Sequence, residues 1–105
     1  MRVYLKKRDG SVFAEGDYNF STGYLMVKKG SIISENINYS KSFRGAKSIE
    51  KKRKGILNNN ELTENVTFKS ASTAANFVTG GSTNGMIAWK NKDGKTLRQI
   101  KIEKQ

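Results

Sequence analysis

The chemistry open to this chain is bounded by what it carries: nine Asp and Glu, twenty Lys and Arg, and neither histidine nor cysteine. Without imidazole it lacks the commonest general base and neutral metal ligand. Without thiols it has no disulfide and no thiolate metal site. Glu15 and Asp17 are two residues apart, which on a strand puts both carboxylates on one face. Such a pair can help to hold Mg²⁺, but two acids alone are a thin basis for a metal site. No nucleophile has an evident base beside it, and no Walker-type loop occurs. No catalytic residue, metal ligand or cofactor site is therefore expected, and the chain reads as a non-enzyme.

The basic residues carry the stronger signal. A formal net charge of +11 on 105 residues attracts polyanions at long range, whatever the fold. The cations are also concentrated. Residues 42–54 favour helix, with Phe43, Ala46 and Ile49 forming an apolar stripe. At about 100° per residue, Lys41, Arg44, Lys47, Lys51, Lys52 and Lys54 fall on the opposite face, where they can follow a phosphate backbone. Arg53 falls on the apolar side, so its guanidinium is expected to snorkel to solvent. Smaller basic clusters stand at Lys6-Lys7-Arg8, Lys28-Lys29 and Lys90-Lys92-Lys95, and Lys69 precedes a second helix. The segment 80–85 holds Ser82 and Asn84, small polar groups suited to phosphates or base edges. Tyr18, Phe20, Tyr24 and Tyr39 are candidates for stacking against unpaired bases.

The elements that must position these residues can be read from local signals. The length fits a single domain spanning residues 1–105, with ten aromatics to fill its core. Val3 to Leu5, Ser11 to Tyr18 and Tyr24 to Val27 read as strands, separated by turns at Asp9-Gly10 and Ser21-Thr22-Gly23. They predict an N-terminal three-stranded antiparallel meander, which residues 31–37 can extend. Ser40 or Ser42 can cap the first helix, and Gly55 sits where its C′ glycine belongs. Ile56-Leu57 and Val66-Thr67-Phe68 predict a hairpin around an asparagine-rich loop. Ser70 caps a second helix that Gly80 ends. Asn84-Gly85 reads as a tight turn into a strand, Met86 to Trp89, and residues 96–102 fit either a strand or a short helix. The expected fold class is α+β: a small antiparallel sheet packed by two helices, with a C-terminal β element around Trp89. No apolar run approaches membrane-spanning length and no signal peptide is evident, so the cytoplasm is the expected location and no membrane partner is expected.

The stretch Phe68-Lys69-Ser70-Ala71-Ser72-Thr73-Ala74-Ala75, followed by Gly80, Asn84-Gly85 and Trp89, resembles a bacterial domain family of unknown function. Its members lie C-terminal to GIY-YIG nuclease domains and near restriction-modification systems. Upstream, Gly16, Lys29-Gly30-Ser31, Phe43-Arg44 and Gly55-Ile56-Leu57 are similar to the same pattern, so nearly the whole chain is covered. Ala71 stands where that family prefers proline, and Met86 where an aromatic is frequent. The serine–alanine and Asn-Gly-Trp arrangement also resembles the restriction-enzyme-and-methylase-associated domain, which is proposed to bind DNA. The resemblance implies an accessory module working beside a nuclease or restriction-system subunit that supplies the catalysis.

Together these observations point to a non-catalytic nucleic-acid-binding module, DNA ahead of RNA, holding mainly the phosphate backbone through the basic helix. The expected contact residues are Lys41, Arg44, Lys47, Lys51, Lys52, Lys54, Lys69, Ser82, Asn84 and Lys90. The alternative is a protein-interaction module that docks an acidic partner in a restriction or mobile-element system.

Overall fold

Alternation builds the sheet. In β1 (Arg2–Lys6) and β2 (Phe13–Tyr18), every second residue is buried: Val3 and Leu5, then Ala14, Gly16 and Tyr18. β2 also pairs antiparallel with β3 (Leu25–Val27), which completes the expected meander. The computed structural model, which describes residues 1–104, adds a fourth strand. The sheet order is β1-β2-β3 followed by Val66–Phe68, which pairs antiparallel with β3 through Leu25↔Phe68 and Val27↔Val66. The result is a mixed α+β fold, a four-stranded antiparallel sheet with four helices among the described residues.

The fourth strand corrects the expected hairpin. Leu57–Asn58 (β4) and Glu61–Leu62 (β5) pair with each other, and Val66–Phe68 becomes β6 of the main sheet. The turn is Asn59-Asn60, with φ of 50° and 69°. Asparagine tolerates the left-handed region that a two-residue hairpin demands, so the hairpin closes at once and frees β6 for β3. Residues 31–37 do not extend the sheet as a strand. Ile32 makes single bridges to Phe13 and to Glu61, and the segment then crosses toward α2.

Four helices complete the fold: α1 (Ala46–Arg53), α2 (Ala71–Thr79), α3 (Gly85–Ala88) and α4 (Leu97–Glu103). α1 starts four residues later than residues 42–54 predict. Ser40 and Ser42 bond to each other through their hydroxyls instead of capping, and Gly45 takes the N-cap position with no side-chain bond. A Cβ at Gly45 would lie 2.9 Å from the Phe43 ring, so the glycine lets that buried ring fold back against the helix start. α2 has its expected caps: Ser70 accepts from Thr73 N, and Gly80 sits in the left-handed region at φ 81°. α3 replaces the expected strand, because Asn84 has φ −79° and its side chain accepts from Met86 N. Asn84 thus acts as a helix N-cap and not as a hairpin turn residue. α4 resolves the ambiguity over residues 96–102 in favour of helix through a capping box between Thr96 and Gln99. The expected β element beside Trp89 reduces to Lys90, bridged to Tyr4 on one side and Thr96 on the other.

The core lies between the inner sheet face and the helices. Leu25, Val27 and Phe68 meet Ala74, Ala75, Phe77 and Val78 of α2, with Trp89 and Leu97 fully buried beside them. Arg53 belongs to this interior and does not snorkel. It is 7% exposed, donating to Ser34 O at 2.8 Å and to Phe77 O at 2.7 Å. Phe77 O is in the last turn of α2, where a cation also meets the negative end of the helix dipole. Among the described residues, no carboxylate lies within ion-pairing distance of it and its Nε has no partner. Burial lowers its pKa from the ordinary arginine value.

Candidate functional site

The basic face of α1 forms in part. Lys47, Lys51 and Lys54 are spaced by four and three residues and, with Glu50, line one shallow depression. Glu50 accepts a 2.8 Å hydrogen bond from the Tyr39 hydroxyl, which raises the Tyr39 pKa. The carboxylate is thereby held toward Tyr39, and none of the three lysines is ion-paired among the described residues. The expected row of six cations does not form, because α1 begins only at Ala46. Lys41 and Arg44 are exposed in the turn before it. Lys52 faces elsewhere: its Nζ is 5.3 Å from the centroid of Phe68, in a narrow groove between α1 and α2. Lys69 is exposed at the end of β6.

Lys90 lies at the opposite edge of the sheet, beside β1. Strands are spaced by about 4.8 Å, so three spacings put roughly 14 Å between the β1 and β6 edges. Lys90 exchanges two backbone hydrogen bonds with Tyr4, at 2.7 and 2.9 Å, which sets the two residues directly opposite each other. Around them is a groove of about 450 Å³ lined by Tyr4, Lys6, Ala88, Lys90, Asn91, Lys92 and Gly94. Two basic clusters far apart in sequence thus converge on one concavity. Lys6 Nζ lies 5.8 Å from the Tyr4 centroid and 4.9 Å from that of Phe13, and the two rings meet edge to face at 6.4 Å. The groove wall is shaped by the turn 91–94, in which Asn91 Oδ1 accepts from the backbone N–H of Asp93 and of Lys95.

The aromatic candidates divide. Tyr18 is 7% exposed and packs edge-on against Phe20, so it belongs to the core. Phe20 is half-buried beneath Lys104, whereas Tyr24 and Tyr39 are exposed. Tyr4 and Phe13 were not singled out from the sequence. Their signal was the strand alternation, which places Tyr4, Lys6 and Phe13 on the face opposite Val3, Leu5 and Ala14.

Glu15 and Asp17 share the outer face of β2, as their spacing requires, but Arg2 claims both. It reaches Glu15 at 2.9 Å and Asp17 at 2.8 Å, with Lys28 4.0 Å from Asp17. The Arg2 hydrogen bond holds the Asp17 carboxyl below its ordinary pKa. Among the described residues, no group of three metal-binding side chains occurs, and no helix is long and apolar enough to cross a membrane.

A family model described as a domain of unknown function, DUF4357, matches residues 3–101. The chain belongs to that family. No curated protein and no solved structure matches it. In this DUF4357 member, the motif residues from Ser70 to Trp89 lock α3 onto the start of α2. Ser72 Oγ accepts from Gly85 N at 2.9 Å, and buried Trp89 Nε1 donates to Ala71 O at 3.0 Å. Within the loop, Asn76 Oδ1 accepts from Thr83 N, and the Thr79 and Thr83 hydroxyls share a hydrogen bond. Asn84 Oδ1 is engaged in capping α3, while Ser82 is exposed. Most of the small polar groups of this loop are therefore occupied within the fold.

Proposed function

We propose that this chain is a non-catalytic nucleic-acid-binding module, DNA ahead of RNA, that grips the phosphate backbone through α1. The observation that carries the reading is the Lys47, Lys51 and Lys54 row, free of ion pairs among the described residues because Glu50 turns to Tyr39. Uncompensated lysines on a helix face release counterions on meeting phosphates, which gives affinity without sequence preference. The resemblance to modules beside GIY-YIG nucleases and restriction systems supports a role in delivering a partner nuclease or restriction subunit to DNA.

The test is fluorescence anisotropy with blunt duplex DNA and matched RNA, comparing wild type with Lys47→Gln/Lys51→Gln/Lys54→Gln. Losing three phosphate contacts should reduce the log–log salt slope by about 2.7, so that wild type loses roughly 40-fold more affinity than the variant between about 50 and 200 mM salt. Absence of binding at the lower salt concentration sinks the reading. A second reading has its own observation. Ile87 and Ile102 are 45% and 63% exposed, and Ile102 lines a shallow pocket with Met86, Arg98 and Lys101. An acidic protein with apolar anchors would fit that surface, and pull-down with a purified partner subunit despite no DNA binding would favour it.

A further inference from the structure

We propose that the groove at the β1 edge binds an unpaired nucleotide of a nucleic-acid strand, with the base against Tyr4 and Phe13 and its phosphates on Lys90 and Lys92. The inference rests on the nucleic-acid reading above but concerns a different surface. Four features carry it. At about 450 Å³, the groove lies within the roughly 300–1,000 Å³ of small-ligand sites. Among the described residues, three lysines line it and no carboxylate does. Aromatic surface is present, since Tyr4 lines the groove and Phe13, 48% exposed, meets the Tyr4 ring edge to face. The backbones that carry these parts are fixed, because Lys90 is held opposite Tyr4 by two backbone hydrogen bonds and Lys6 stands opposite Phe13 in the β1–β2 register.

The chemistry selects an unpaired nucleotide over a duplex. Cations alone would serve any phosphate, but within a duplex both faces of an interior base are already stacked, so rings set in a groove favour an unpaired base. Lys6 spans both rings, so the charge and the stacking surface form one unit. α1 would then hold the duplex backbone while the groove takes a flap, overhang or strand end.

The experiment uses the full chain and three probes: a blunt duplex, the same duplex carrying a three-nucleotide overhang with 2-aminopurine at its first unpaired position, and a free nucleoside monophosphate. Stacking of one base predicts about 10-fold tighter binding of the overhang substrate, with quenching of the 2-aminopurine. Phe13→Leu alone should weaken preference and quenching, and Phe13→Leu with Tyr4→Leu should abolish both. Neither change alters charge, so the salt slope on blunt duplex should stay the same. The exposed Phe13 site keeps the single variant folded, which circular dichroism checks. Equal binding of blunt and overhang duplexes overturns the inference and leaves the duplex reading standing, whereas no binding of either removes both. Preference that survives both substitutions, or groove binding of the free nucleotide without overhang preference, also overturns it.

Discussion

Gly85→Ala tests whether the Asn-Gly-Trp arrangement is architecture. A Cβ on Gly85 would sit 2.1 Å from Ala71 C, 2.2 Å from Ala71 O and 2.4 Å from Ser72 N. These are backbone atoms of the first turn of α2, which cannot swing aside as a side chain can. To restore a carbon–carbon separation of about 3.5 Å, α3 must withdraw by roughly 1.4 Å. That stretches the 2.9 Å bond from Gly85 N to Ser72 Oγ and the 3.0 Å bond from Trp89 Nε1 to Ala71 O past useful length. Two hydrogen bonds at about 1 kcal/mol each, with about 1–3 kcal/mol for overpacking, make a loss of about 3–5 kcal/mol. Urea unfolding followed by circular dichroism and by the fluorescence of Trp89, the single tryptophan, reads it directly. Gly81→Ala is the control: its Cβ would meet nothing closer than Asn38 Cβ at 3.7 Å, and Gly81 has no positive φ. It should stay within about 0.5 kcal/mol of wild type. A Gly85→Ala protein within about 1 kcal/mol of wild type would refute the packing account and return the motif to a recognition role.

Two further perturbations probe charges the fold has absorbed. Arg53→Met keeps much of the buried volume but leaves Ser34 O and Phe77 O without their guanidinium donors. It should lower stability by about 2–4 kcal/mol, and an unchanged urea midpoint would show that the buried guanidinium is dispensable. Asp17 has its folded pKa lowered from 3.8, chiefly by the Arg2 hydrogen bond. Its stabilisation is therefore complete above that value and lost as pH falls through the lower folded one. Because the pair is partly exposed, Asp17→Asn should cost only about 0.2–1 kcal/mol at pH 7. The gap between wild type and variant should close in strong acid, and a gap that persists there would contradict the assignment.

Features governed by neighbours in sequence were legible before the structure. Ser70 and Gly80 mark the ends of α2, Gly55 follows α1 with φ 81°, and period-two burial separates the faces of β1 and β2. Capping and alternation involve atoms a few residues apart, so the chain encodes them locally. Asn84-Gly85 shows where local reading divides. The same dipeptide serves a hairpin turn or a helix N-cap, and only the close approach of Gly85 to Ala71 selects the second.

The sequence by itself determined the excess of positive charge, the lack of histidine and cysteine, the α+β class, and the family pattern that spans nearly the whole chain. Tertiary structure decided which charges share a surface. It put Arg53 inside, turned Lys52 toward Phe68, paired Glu15 and Asp17 with Arg2, and brought Lys6 to Lys90 and Lys92. The reason is the same in each case. Side-chain periodicity assigns a residue to a face, but the partner of that face comes from strand pairing and helix packing between distant segments, as when β6 joins β3 and Lys90 closes against Tyr4.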